Sequence, residues 1–99
     1  MVASVAGFDW DDGNWPKCGK HGVSRSEIEH ALMHDPAVFP DRSVAVEERL
    51  NAIGRNADGR YLFIVFTFRT RRGNTLIRPI SARYMHRKEV DHYERQKDT

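Results

Sequence analysis

Apolar positions change their spacing partway along this 99-residue chain, from a short helical rhythm to the alternation and continuous runs of strands. Phe8-Asp9-Trp10-Asp11 alternates and predicts an opening strand with Phe8 and Trp10 on one face; Asp12-Gly13-Asn14 and Pro16 then break regular structure. Ser24-Arg25-Ser26-Glu27 is a capping box, in which the Ser24 hydroxyl accepts from the Glu27 amide and the Glu27 carboxylate reaches back. Val23 and Ile28 are placed as a hydrophobic staple, Ile28, Ala31 and Leu32 continue at helical spacing, and Asp35-Pro36 stops the run.

The second half reads as sheet. Residues 49–54 predict a strand that closes at a loop over 55–60, where Asp58-Gly59 is a turn signal. Residues 61–68 are strand-favouring apart from Leu62 and apolar on both sides, the pattern of a central strand covered on both faces. A hairpin loop is expected over 70–74 and a returning strand over 75–82, with Pro79 marking an edge position or a bulge. Residues 83–96 are charged and helix-compatible, with Met85, Val90 and Tyr93 as a thin apolar stripe. These elements predict an α+β fold: one small domain over residues 1–99, an antiparallel sheet flanked by a helix from the N-terminal half and a C-terminal helix.

Composition narrows the class. Hydrophobic residues make up 39% and charged residues 30%, the balance of a soluble globular chain rather than a disordered one. No run approaches the ~20 apolar residues of a membrane span, and residues 1–7 lack the basic side chain of a secretory signal. Cys18 is the single cysteine and has no partner for an internal disulfide, so the cytoplasm is the expected location. With no HxH, HExxH or CxxC, neither a metal nor another cofactor is expected.

The formal net charge is only +2, but it is unevenly spread. Residues 1–49 hold five Lys/Arg against nine Asp/Glu, a balance of −4; residues 50–99 hold eleven against five, a balance of +6, and nine of those eleven are arginine. Arginine offers a rigid fork of donors that matches phosphate, so the asymmetry points to a polyanionic partner. The plain alternative is a solvated charged face.

Six fragments, in order, carry a resemblance. Phe8-Asp9-Trp10-Asp11, Gly19-Lys20-His21-Gly22-Val23-Ser24, Glu47-Glu48-Arg49 leading to Ala52-Ile53-Gly54-Arg55, Gly59-Arg60, Phe66-Thr67 with Arg69, and Arg78-Pro79-Ile80-Ser81-Ala82-Arg83 with Glu89 and Tyr93 resemble the BrnT family over residues 8–94. The chain departs from that pattern at Ser43-Val44, where many relatives carry a His-Ser pair, and in a slightly shorter segment holding Trp15 and Pro16. The resemblance implies a RelE-like fold and a small ribonuclease toxin of a type II toxin–antitoxin system that arrests translation and growth. It also implies a hetero-oligomer with a BrnA-type ribbon-helix-helix antitoxin, mRNA as substrate, and operator DNA reached only through the antitoxin. The alternative is a catalytically silent nucleic-acid-binding or interaction subunit of the repressor complex.

Metal-free RNA cleavage asks for a base at the 2′-hydroxyl, cations at the phosphorus and an acid at the leaving 5′-oxygen. The base candidates are His21, at a helix entrance before Gly22, and Glu47 or Glu48, of which alternation lets only one face the site. Arg49, Arg69, Arg78 and Arg83 are the candidates for phosphate and transition-state charge, expected to converge with the Lys20-His21-Gly22 corner on one pocket. Their plain reading is inter-strand ion pairs or guanidinium groups snorkelling from the sheet. Lys20 is a further RNA contact; Tyr84 and His86 are candidates for the acid or for base stacking, with Trp15 as a second stacking platform. An acidic antitoxin segment is expected to pair with Arg69, Arg71, Arg72 or Arg83. Trp10, Phe63 and Phe66 are expected in the core, and His30, His34 and His92 on the surface.

Overall fold

Ser24 starts the first helix as the capping box requires. In the computed structural model, which describes residues 5–41 and 48–97, the Glu27 amide donates to Ser24 Oγ at 3.1 Å and the Ser24 amide donates to Glu27 Oε1 at 3.0 Å. Helix α1 (Arg25–Met33) follows, buries Ile28, Ala31 and Leu32, and ends just before Asp35, whose φ of 54° turns the chain out of the helix. Val23 and Ile28 are both buried, as a staple would be.

Five strands make one sheet: β1 (Gly7–Phe8), β2 (Ala37–Pro40), β3 (Leu50–Arg55), β4 (Tyr61–Arg71) and β5 (Asn74–Tyr84), in the order β1-β5-β4-β3-β2. β2, β3, β4 and β5 pair antiparallel, but β1 lies parallel to β5, so the sheet is mixed rather than wholly antiparallel. β2 has no counterpart in the sequence reading because it is four residues long and three of them are exposed. The hairpin loop is shorter than expected: β4 runs on to Arg71, and Arg72 and Gly73, both at positive φ (53° and 80°), make a two-residue turn. β5 likewise extends to Tyr84, held by the Leu62–Tyr84 and Phe63–Arg83 pairs, so Arg83 and Tyr84 are strand residues and helix α2 (Arg87–Lys97) begins later than the charge pattern suggested. Pro79 sits at a bulge, where pairing steps from Val65–Ser81 to Phe66–Pro79 and leaves Ile80 as the extra residue.

Alternation along these strands separates two faces. Leu62, Ile64 and Phe66 of β4, Ala52 of β3, and Ile77 and Ala82 of β5 are buried in the core that α1 closes, with Cys18 and Val23 at its margin. Gly54 lies where α1 crosses β3 so closely that a Cβ there would stand 2.7 Å from the Ala31 carbonyl oxygen. Gly54→Ala is therefore expected to push α1 off the sheet and cost about 1–3 kcal/mol, read as a fall in thermal midpoint.

The opposite face carries Asn51 and Ile53 of β3, Phe63, Val65, Thr67 and Arg69 of β4, and Arg78, Ser81 and Arg83 of β5. Helix α2 buries none of its residues and meets this face at one end, where the Tyr61 hydroxyl donates to Glu94 at 2.6 Å and the Tyr61 and Tyr93 rings meet edge to face at 5.6 Å. The far end of the face, toward Thr67 and Arg69, lies away from α2 among the described residues. No helix of the described residues is long and apolar enough to cross a membrane.

Candidate functional site

Three strands deliver cations to that far end. In register, Arg49 extends β3 opposite Thr67 of β4, and Thr67 pairs with Arg78 of β5, so Thr67 stands between two arginines, with Arg69 one step along. The Thr67 hydroxyl donates to the Glu48 carbonyl at 2.6 Å, tying the start of β3 to this row. Arg49, Arg69 and Arg78 line one pocket of about 180 Å³ with Lys17, which the loop after β1 brings over the sheet edge. Asn14 holds that loop down, its buried amide donating to the carbonyls of Asp9 and Pro79, both at 2.9 Å. Glu48 and Arg69 share an adjoining depression with Leu50, Thr67 and Phe68.

The three arginines are not equivalent. Arg78, with its side chain 13% exposed, makes a two-pronged bond to Asp11 (3.0 and 2.9 Å) and a third contact to Asp9 at 3.2 Å. Its hydrogen bonds hold the Asp11 carboxyl below the usual range, and Asp11 in turn raises the Arg78 guanidinium. Arg71 also pairs with Asp9, at 3.1 Å. Arg78 thus spends its forks on holding β5 to the β1 loop. Arg49 differs: its Nε is buried and finds no hydrogen-bond partner among the described residues.

Arg83 and His21 meet elsewhere on the same face, in a small pocket of about 130 Å³ with Phe63, Val65 and Ser81. The expected single pocket is in fact two, because Phe63, opposite Arg83, and Thr67, opposite Arg78, are four residues apart on β4, about 13 Å. Arg83 lies over the Phe63 ring at 5.0 Å and pairs through both Nη atoms with Glu89 of α2, at 2.8 and 2.9 Å. Those bonds, with the His86 amide donating to the same carboxylate, bring Glu89 down to about 2. The sign follows: a carboxylate depressed on folding stabilises the fold above the ordinary carboxylate range, and that contribution is lost as pH falls from there toward about 2. Because both side chains are more than a third solvent-exposed, the pair is worth about 1 kcal/mol. Glu89→Gln is expected to cost about that much at pH 7 and to flatten the acid limb of the stability curve, measured by denaturant titration at several pH values.

Other expected contacts fall away from this face. Tyr84 points to the α1 side, its hydroxyl donating to both oxygens of Glu27 (3.0 and 2.9 Å) and its ring capped by Arg60 at 3.6 Å, so it is no stacking platform for a ligand on the open face. Trp15 packs edge to face on Trp10 at 5.5 Å, with Arg25 above it. His86 is exposed just before α2, and Lys20 is exposed at the end of the 3-10 turn Lys17–Gly19; neither lines the arginine pocket. Glu47 and Ser43-Val44 lie outside the described residues. The sequence reading missed Lys17 and Thr67; a polar Thr67 two residues before Arg69, on the alternating face of an apolar strand, was the available signal. Among the described residues no group of three His, Cys, Asp or Glu side chains is gathered to hold a metal ion.

No curated protein matches the sequence. Residues 10–89 match a family described as the ribonuclease toxin, BrnT, of type II toxin-antitoxin systems.

Proposed function

Because the chain belongs to the BrnT family of ribonuclease toxins of type II toxin–antitoxin systems, we propose that it cleaves mRNA on the α2-free end of its sheet without a metal ion, and so arrests translation and growth. The observation that carries this is the row Arg49–Thr67–Arg78 with Arg69 and Lys17 beside it, in which the Arg49 Nε is a buried donor with no partner among the described residues. A phosphate seated over Thr67 satisfies that donor and places its developing negative charge among guanidinium groups. Glu48, beside Thr67 and Arg69, takes the 2′-hydroxyl proton, and Lys17, in the pocket of the arginines, protonates the departing 5′-oxygen. The attacking oxygen bonds to phosphorus as the bond to the 5′-oxygen breaks, leaving a cyclic phosphate.

A BrnA-type antitoxin with a ribbon-helix-helix portion neutralises the toxin by laying an acidic segment over Arg69, Arg71, Arg72 or Arg83, competing with Asp9 for Arg71 and with Glu89 for Arg83. The decisive experiment is cleavage of a defined RNA by purified protein with and without a chelator. Cleavage that persists in chelator and falls sharply in Glu48→Gln and Lys17→Ala is expected. Cleavage abolished by chelator sinks the metal-free mechanism, and an inert wild type favours the silent subunit of a repressor complex.

A further inference from the structure

One strip of the open face takes no part in the phosphate site. Phe39 of β2 pairs with Asn51 of β3, Asn51 with Val65 of β4, and this strip lies one side-chain step along the strands from Arg49 and Thr67. Phe39 is 38% exposed, a large share for a phenylalanine on a sheet, and its ring meets Phe63 edge to face at 6.2 Å. Between the rings and the arginines stands Asn51, whose Oδ1 is buried without a hydrogen-bond partner among the described residues. An unpaired buried carbonyl works against the fold, and an apolar side chain of the same size avoids the penalty.

We propose that Phe39, Asn51, Phe63 and Val65 form a nucleobase subsite and that the Asn51 amide reads the edge of the base. The inference rests on the RNA-cleaving reading and adds to it a specificity. Two residues along a strand span about 7 Å, the separation between a nucleotide's phosphate and its own base, so a phosphate on Arg49 carries its base onto this strip. Exposed aromatic surface supplies stacking, which every base accepts and purines use most. The amide supplies the choice: it accepts from the N6 amine of adenine and donates to N7, pairing in two places with that base. Swinging out to the base also gives Oδ1 the donor it lacks.

The test uses the full chain and four short 2′-O-methyl RNAs that differ in one base, read by fluorescence anisotropy, beside cleavage of the matching ribo-oligonucleotides. Wild type is expected to bind the adenine oligonucleotide roughly tenfold more tightly than the uracil one. Asn51→Leu is expected to lose that preference in binding and in cleavage alike, and to melt no lower than wild type. Phe39→Ala, at an exposed position, is expected to weaken all four oligonucleotides alike. Equal binding of the four by wild type, or a preference that survives in Asn51→Leu, overturns the subsite even if RNA is cut. Binding with the adenine preference but no cleavage overturns the catalytic reading and leaves the subsite standing. No binding to any oligonucleotide overturns both.

Discussion

Arg49→Ala is expected to lower RNA cleavage by about 10²–10³-fold while leaving the fold intact, because it removes a donor aimed at charge that develops only in the transition state. The fold is spared for a specific reason: the Arg49 Nε has no hydrogen-bond partner, and none of the ion pairs found among the described residues involves Arg49. Arg78→Ala should behave in the opposite way. Asp9 is 7% exposed, and with Arg78 gone the cation left to it and Asp11 among the described residues is Arg71, at 3.1 and 4.0 Å. Breaking the buried Arg78–Asp9 pair costs about 3 kcal/mol, so the defect should appear first in thermal melting. Measuring cleavage rate and melting midpoint for both variants separates the catalytic cation from the structural one; equal losses of stability would show that Arg49 is structural after all.

Phe66→Ala is expected to cost about 3–5 kcal/mol, a large share of the roughly 5–15 kcal/mol that holds a small domain folded. Phe66 is fully buried at the bulge, opposite fully buried Pro79, and packs edge to face on Phe68 at 5.6 Å. A cavity there also loosens the strands that space Arg49, Thr67 and Arg78. Denaturant unfolding should show the loss directly, and if the protein binds antitoxin, part of the midpoint should return in the complex by mass action. A loss below about 1 kcal/mol would mean that the core closes around the gap.

What the sequence made legible was local. The Ser24–Glu27 box needs only residues within one turn, and the apolar run of β4 identifies a central strand whatever pairs with it. Pro79 announced a break in the ladder because proline has no amide to donate, and the break is there. The rest depended on partners far along the chain. β2 is a strand only because Ala37 to Pro40 lie beside β3, and the parallel placement of β1 is a choice of direction that no periodicity records. Tyr84 looked like an exposed aromatic; its register opposite Leu62 turns it to the α1 face and onto Glu27. The duty of each arginine was least visible: Arg78 and Asp9 are 69 residues apart, and only the folded sheet shows that one fork is spent while the buried Arg49 Nε finds no partner among the described residues.

In the proposed mechanism RNA lies on the α2-free end of the sheet. Titrating isotope-labelled protein with a 2′-O-methyl RNA and following backbone amide shifts tests it most directly. The expected result is a footprint over residues 49–51, 65–69 and 78–81, with α1 and Tyr84 unmoved. Shifts gathered on α1, Glu27 and Tyr84, with the Arg49–Thr67–Arg78 row silent, would contradict it.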